Sequence, residues 1–341
     1  MQFTGAAAAT GSGPYRLAAY SKAQGRYLLE ANPQYHRGTP QFEKVAIVKM
    51  ATDAAIKALE QGEIDMIPYL PADRVPQVSG AGLSVVQALS HHPLRLGFDH
   101  QGRFQSRERR QGLAHVLDRP AIVQTLYQSA AEVAQTGYFQ TGSPWDRSAD
   151  LPGYARDAAR AAELFEATGW HREADGAWAD KDGPLTLRLI AGKGESRAAK
   201  VIASQLEQFG FSVEIRVLER AVLKAGLQAQ EFDLALYSSS TQGDPNGIRR
   251  RVFGKTWPSD RYEGDELKAL IQLQAQAPDA EERAKILAEF QQEYARELPS
   301  YAIAHPYMAA AHGGKLNGVR FLPGGAAIGV PTALHKSYLT E

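Results

Sequence analysis

The densest set of chemistry-bearing side chains is the octapeptide SSSTQGDP at Ser238–Pro245, which follows the apolar run FDLALY and carries four hydroxyls, an amide and a carboxylate. Thr241, Gln242 and Asp244 are its hydrogen-bonding candidates for a ligand, although the same residue types build turns, with Asp244 as the cap of a following helix. Tyr237 directly before the loop and Trp257, between Lys255 and Pro258, add aromatic surface that can stack on a ligand or pack beneath it. The run Arg249-Arg250-Arg251 can hold a carboxylate through bidentate guanidinium bonds or lie solvated on a helix face. Among the nine histidines, His91 and His92 precede a strand, and His305 and His312 flank PYMAAA. Imidazole is the commonest transition-metal ligand, but neighbours on a strand point to opposite faces, and no spacing here matches a closed structural site. His91 and His92 therefore stand as outlying ligand candidates, with no metal site assigned.

Catalytic signatures fail residue by residue. Gly194-Glu195-Ser196-Arg197-Ala198 lacks the last glycine of a nucleophile elbow. Gly254-Lys255-Thr256 has Arg249 where a phosphate loop needs its first glycine, and Gly11-Ser12-Gly13 continues to Arg16 instead of a third glycine. HExxH is absent, and with no cysteine there is neither a thiolate nucleophile nor a disulfide. Lys+Arg 38 cancels Asp+Glu 38, so no global field attracts nucleic acid or an anionic membrane. With 44% hydrophobic and 22% charged residues the composition is globular, and 341 residues suggest about two domains. No run of about 18 apolar residues occurs, and MQFTGAAAATGSG has no basic region of the kind that opens a signal peptide.

The elements that must position these residues read as a mixed α/β chain. Short strands are expected at Tyr15–Tyr20, Tyr27–Ala31 and Lys44–Met50, then a helix over Asp53–Gln61 with Thr52 as its cap and Gly62 as its stop. Strand signals return at Ile64–Ile67, Leu83–Leu89 and Leu94–Phe98. Ser106–Tyr127 reads helical with a break at Pro120, Tyr154–Thr168 as an amphipathic helix, and READGAWADKDGP as a hairpin. Leu185, Leu187 and Leu189 then alternate, Ser196–Phe209 is helical, Val213, Ile215 and Val217 alternate, Glu219–Gln230 is helical, and Phe232–Tyr237 is a further strand. This β-α-β-α-β order predicts parallel strands with helices on the faces, and ligands beyond the strands' carboxyl ends. Two long helices, Gly264–Ala277 and Ala280–Glu297, precede a return strand at Tyr301–Ala304.

Several segments resemble the family 5 extracellular solute-binding proteins of ABC importers. GSGPYRL at Gly11–Leu17 is similar to that family's GTGPY-x-L strand, and ANPQYHRGTPQFEKVAI to its N-x-x-Y-W-x-G-x-P-x-x-x-x-I segment, with His36 for Trp. ALEQGEIDMI matches its A-L-x-x-G-E-I-D pattern. RERRQGLAHVLDRPAIV resembles its VRxALxxAIDRxxIV helix pair, with Arg110 as the motif arginine and Gly112 for the usual Ala. RDAARAAELFEATGW, FDLALY followed by Asp-Pro, and EERAKILAEFQQEYARELP complete a series in the family's order.

The resemblance implies an α/β, periplasmic-binding-protein-like two-lobed fold of type II, cluster C-like, closing around its ligand by hinge motion. The expected domains are a partial lobe I over 1–95, lobe II over 96–304 and a return to lobe I over 305–341. Because the GTGPY-like segment starts at Gly11, one lobe is expected complete and one partial, with open sheet edges and a tendency to self-associate. The implied function is non-enzymatic capture of nickel, as a chelate, or of oligopeptides, for delivery to an ABC permease, in the periplasm or at the cell surface. Nucleic acid is not an expected partner, the membrane is met only through the permease, and no cofactor is needed. Peptide binders place an acidic residue four positions before the loop proline, where this chain has Thr241. The C-terminal LNGVRFLPGGAAIGVP is closer to the nickel-binding branch, but Ser239 and Gly243 replace that branch's loop aromatics, and Trp257 stands near the place of its histidine. A sensory module that kept the ligand-binding lobe without transport is the alternative.

Overall fold

The computed structural model describes residues 11–139, 141–143, 145–146, 150–241, 244–255, 259–321 and the backbone of 328–329. These fall into two units, one formed by the described residues before Leu89 and after Tyr307, the other running from Leu89 to Tyr307. The first unit opens with an antiparallel sheet of β1 (Tyr15–Ser21), β2 (Arg26–Ala31) and β3 (Lys44–Val48). Helix α1 (Thr52–Glu60) buries Ala55, Ile56 and Leu59 in a cluster shared with Ile67 and Leu70 of β4 (Met66–Leu70). Thr52 is the first helical residue rather than the cap: Ala51 holds the extended cap position and supplies no side-chain bond. Gly62 turns the chain away at φ +73°, a conformation that suits glycine. The strand expected at Ile64–Ile67 starts two residues later, with Ile64 packed against the same cluster. Helix α2 (Val75–Gly80) and β5 (Ser84–Leu89) follow.

The second unit begins with β6 (Leu94–Phe98), buried along its whole length. The helical stretch after it divides into α3 (Arg107–Val116) and α4 (Arg119–Tyr127), and the break falls at Leu117 and Asp118 rather than at Pro120. Asp118 caps α4 by accepting from the Ala121 amide at 3.0 Å, so Pro120 lies in the first turn, where no intrahelical donor is lost. A short β7 (Ala131–Val133) precedes α5 (Ala158–Glu166), which Asp157 caps by accepting from the Arg160 amide at 2.9 Å. The expected hairpin forms with an added strand, as β8 (His171–Arg172), β9 (Trp178–Asp180) and β10 (Gly183–Pro184).

The β-α-β-α-β reading holds. β11 (Thr186–Gly192), α6 (Ser196–Gln208), β12 (Ser212–Leu218), α7 (Arg220–Ala229) and β13 (Leu234–Ser238) build three parallel strands in the order β12-β11-β13. The period-2 alternation divides the faces: Leu187, Leu189, Leu234 and Leu236 share one cluster with α6, while Ile190, Ala235 and Tyr237 meet Leu223 and Leu227 of α7. Helices α8 (Ile248–Val252), α9 (Asp265–Gln274) and α10 (Ala280–Glu297) share a separate cluster around Ile248, Ile271, Phe290 and Tyr294. The return strand β14 is longer than expected, Ser300–His312, and runs antiparallel to β6.

Two motif residues act structurally. Arg110, fully buried, donates to the carbonyls of Glu297, Phe104 and Gln105 at 2.7–3.0 Å and to the Glu297 carboxylate at 3.2 Å, tying α3 to the end of α10. Gly112, where the family pattern carries Ala, faces the Phe165 ring; a Cβ there would lie 2.8 Å from it. That ring cannot retreat, since it stacks on Trp170 at 5.1 Å and meets Trp178 and Phe211 edge-on at 5.3 and 5.4 Å. Alanine gains about 1 kcal/mol over glycine in a helix interior, but overpacking a close-fitting core costs about 1–3 kcal/mol. Gly112→Ala is accordingly expected to lower stability by about 1 kcal/mol in urea unfolding, and a gain of stability would show the aromatic cluster to be looser than this.

Candidate functional site

Strand β6 carries two kinds of side chain on its two faces. Leu94, Leu96 and Phe98 enter the apolar cluster with α6, whereas Arg95 and Gly97 face the other way. Arg95 pairs in register with Tyr237 of β13 and Ala302 of β14, and Gly97 pairs with Ser300. The polar layer on this face draws in Asp260 and, from α10, Tyr294. The Arg95 guanidinium donates to the Tyr138 carbonyl at 2.9 Å and to the Tyr294 hydroxyl at 3.3 Å, and lies 4.7 Å from the centre of the Tyr138 ring. Tyr237 donates its hydroxyl to Asp260, whose other oxygen accepts from Ser300 at 3.2 Å and Tyr294 at 3.4 Å. Glycine at position 97 is required, because a Cβ there would sit 2.6 Å from the Tyr237 ring. Burial pushes the Asp260 carboxyl up to about 6, against the opposing pull of Arg95 and the three hydroxyls.

Beside this layer lies a recess of about 20 Å³, room for roughly one water, lined by His91, Arg95, Tyr138, Phe139, Ser143, Ser239, Ser240, Thr241 and His305. Its position follows from topology. Ser238 at the carboxyl end of β13 pairs with Leu94 at the start of β6, and Leu94 pairs with Ala304 of β14. The loop after β13, the segment before β6 and His305 thus share one edge of the sheet, beyond the carboxyl end of a strand in the doubly wound unit. Arg251 of α8 holds the loop there by donating to the Ser240 carbonyl at 3.0 Å. A larger hollow of about 150 Å³ lies between β12 and α7, lined by Ile190, Arg216, Leu218 and Val222 among others, away from these residues.

Thr241 and His91 both line the recess, half-buried. Tyr237 is buried, with its ring over Gly97 and its hydroxyl on Asp260, so it supports the site from below. Asp244 is exposed and caps the short turn of Pro245–Gly247 by accepting from the Asn246 amide at 3.0 Å. His91 and His92 lie in an irregular segment ahead of β6, not on a strand. Burial lowers the pKa of both; the second cause is His92 for His91 and Arg251 for His92. Gln242 and Trp257 lie outside the described residues. Among the described residues, no three His, Asp or Glu side chains gather as a metal site. Arg95, Tyr138 and Asp260 were not singled out from the sequence, although an arginine inside LRLGF, a strand apolar at every second position, was the available signal, and His305 was named only in the metal reading of the histidines.

His305 donates from Nδ1 to the Ser90 carbonyl at 3.0 Å, an assignment that follows because a carbonyl only accepts. Burial lowers its pKa to about 4, so the ring is neutral at pH 7 with Nε2 as an acceptor. Asp260 bears on stability with a definite sign. A carboxyl whose folded pKa exceeds its unfolded value of 3.8 favours folding below that value and loses this contribution as pH rises through about 6. The span corresponds to at most about 3 kcal/mol. Asp260→Asn, which keeps an acceptor for Tyr237, is expected to flatten the fall in wild-type stability between pH 4 and pH 7 in denaturant titrations; parallel curves would show that Asp260 is ionised throughout.

The comparisons with known proteins agree with this architecture. A model of the bacterial extracellular solute-binding proteins, family 5 middle region, matches residues 2–260. A Brucella ovis protein named for ABC-transporter peptide binding is 28% identical over 252 residues, covering 70% of this chain and 45% of the relative. The nickel-binding protein NikA of Staphylococcus aureus is 22% identical over 326 residues, 92% of this chain and 63% of the relative. The chain spans less than half of the first and under two thirds of the second. The oligopeptide-binding protein AppA of Bacillus subtilis, solved with a nonapeptide, superposes with a TM-score of 0.74 at 20% identity, over 96% of this chain and 65% of AppA. The shared fold is the α/β periplasmic-binding-protein type, as expected from the motifs.

Proposed function

Since this chain belongs to the bacterial extracellular solute-binding proteins of family 5, we propose that it captures a small solute, a nickel chelate or an oligopeptide, for delivery to an ABC permease. The observation that carries this reading is a polar recess at the carboxyl edge of the doubly wound unit in a chain matched by the family model over 2–260. His91 and Thr241 are assigned to the solute from within the recess, and Gln242, Asp244, Trp257 and His92 from its surroundings, while Tyr237 supports them from the buried layer. No reaction is catalysed on this reading. The protein works in the periplasm or at the cell surface, meets the membrane only through the permease, and has no nucleic-acid partner.

Two features bear on the solute. Thr241 stands where a carboxylate would pair with a peptide's α-amine, and a nickel ion, as cargo, arrives with its own chelator. Relatives named for nickel and for peptides both match this chain. Calorimetry with nickel–histidine, free nickel and a dipeptide mixture discriminates among them. A saturable heat from nickel–histidine or from dipeptides is expected, with free nickel weaker; no heat from any of the three, on protein shown to be folded by circular dichroism, would overturn the assignment.

A further inference from the structure

Among the described residues, two buried donors beside the recess lack acceptors: Arg95 Nε and the Tyr138 hydroxyl have no hydrogen-bond partner there, and both residues line it. Orphaned buried polar groups are uncommon in folded proteins, and a charged one is costly, so each calls for a partner that the described residues do not supply. What is missing is of one kind, since an arginine N–H can only donate and the phenol has its proton to give. Arg95 makes no ion pair among the described residues. Its carboxylate neighbour, Asp260, has its oxygens engaged by the hydroxyls of Tyr237, Tyr294 and Ser300. Arg95 and Arg251 act on Tyr138 and Arg95 on His305, while the Asp260 charge acts on both Tyr138 and Arg95.

We propose that this recess receives a carboxylate of the bound solute, with the Arg95 guanidinium and the Tyr138 hydroxyl as its donors. The biological ligand of this subsite rests on the solute-binding reading; its chemistry rests on the two orphan donors. A charge-assisted bond to a guanidinium is about twice as strong as a neutral one, and a group shielded from water gains most from it. The recess has room for about one water, so one carboxylate oxygen would take that place, with the remainder of the solute outside. Ser239 and Ser240, buried at the rim, and Thr241 belong to the same edge. Neutral His305 offers an acceptor rather than a charge, which suits a solute bearing an N–H or O–H donor beside its carboxylate. The same chemistry can come from a free acid, a peptide terminus or a carboxylate chelator, and the test separates these sources.

The full chain, labelled with nitrogen-15, is titrated with acetate, glycylglycine, nickel–histidine and, as the carboxylate-free control, glycinamide, at constant ionic strength. The Arg95 Nε–H resonance, assigned with Arg95→Lys, is followed. Saturable movement with acetate and with at least one of the two larger carboxylates, and none with glycinamide, is expected; the compound that saturates first identifies the source. Tyr138→Phe retains the ring beneath the guanidinium and removes one donor, and is expected to weaken acetate roughly three- to tenfold. Should Arg95→Lys fail to fold, the resonance is assigned by its perturbation in Tyr138→Phe. An Arg95 resonance unmoved by every carboxylate, or moved equally by glycinamide, would overturn the subsite and leave a single water as the partner. If glycylglycine and nickel–histidine give heat but leave Arg95 unmoved, the subsite alone falls. If they give none while acetate moves Arg95, the subsite stands and the import reading falls.

Discussion

The polar face of the second unit's sheet is organised around one buried cation, Arg95. Removing a guanidinium from water costs several kcal/mol unless the protein replaces the lost hydration. Arg95 sits at the middle of a sheet, flanked by β13 on one side and β14 on the other, with its side chain buried. The replacement is assembled from distant parts of the chain: the Tyr138 carbonyl and ring, the Tyr294 hydroxyl from α10, and, through Tyr237, Tyr294 and Ser300, the Asp260 carboxylate. Satisfying that charge thus requires β6, β13, β14, α10 and the segment around Asp260 to meet, which makes the polar layer as selective for this fold as the apolar face of β6.

The same constraint explains where the candidate site lies. A doubly wound unit places its loops at the carboxyl ends of the parallel strands. β6 and β14 join that unit antiparallel to β13 and to β6 respectively, so the start of β6 and the middle of β14 arrive at the same edge. Loop residues Ser239–Thr241 consequently face His91 from one neighbour and His305 from another. Arg251 then ties the loop to α8 through the Ser240 carbonyl, and Asp244 closes the turn that leads into that helix. Polar side chains that would be ordinary turn residues in isolation become a lined recess because the end of β13, the start of β6 and the middle of β14 meet.

Much of the architecture was legible because it rests on periodicity and on local punctuation. The alternation of Leu187 and Leu189, the helical face of Ile202 and Leu206, and glycines at positions such as Gly210, with φ +101°, are local signals that tertiary context did not alter. Helix ends were less legible where a residue type permits two positions. Thr52 can cap or begin a helix, and Pro120 can break one or occupy its first turn; the neighbouring Ala51 and Asp118 decided both. At the site, Thr241 and His91 line the recess, Asp244 caps the turn beside it, and the Tyr237 hydroxyl meets Asp260, placements that depend on packing and not on residue type alone.

By itself the sequence determined the β-α-β-α-β order, the family motifs and the loop after FDLALY, because hydrophobic period, turn chemistry and motif spacing are properties of neighbouring residues. Only the tertiary structure decided that Arg95 is buried rather than solvated. In LRLGF the alternation Leu94, Leu96, Phe98 reads as a strand with one wet face; whether that face is covered depends on Asp260 and Tyr294, more than 160 positions away. The pairing of Arg95 with Tyr138 and of Tyr237 with Asp260 is set by which surfaces exclude water together, and that is a property of the packed chain and not of any local stretch of it.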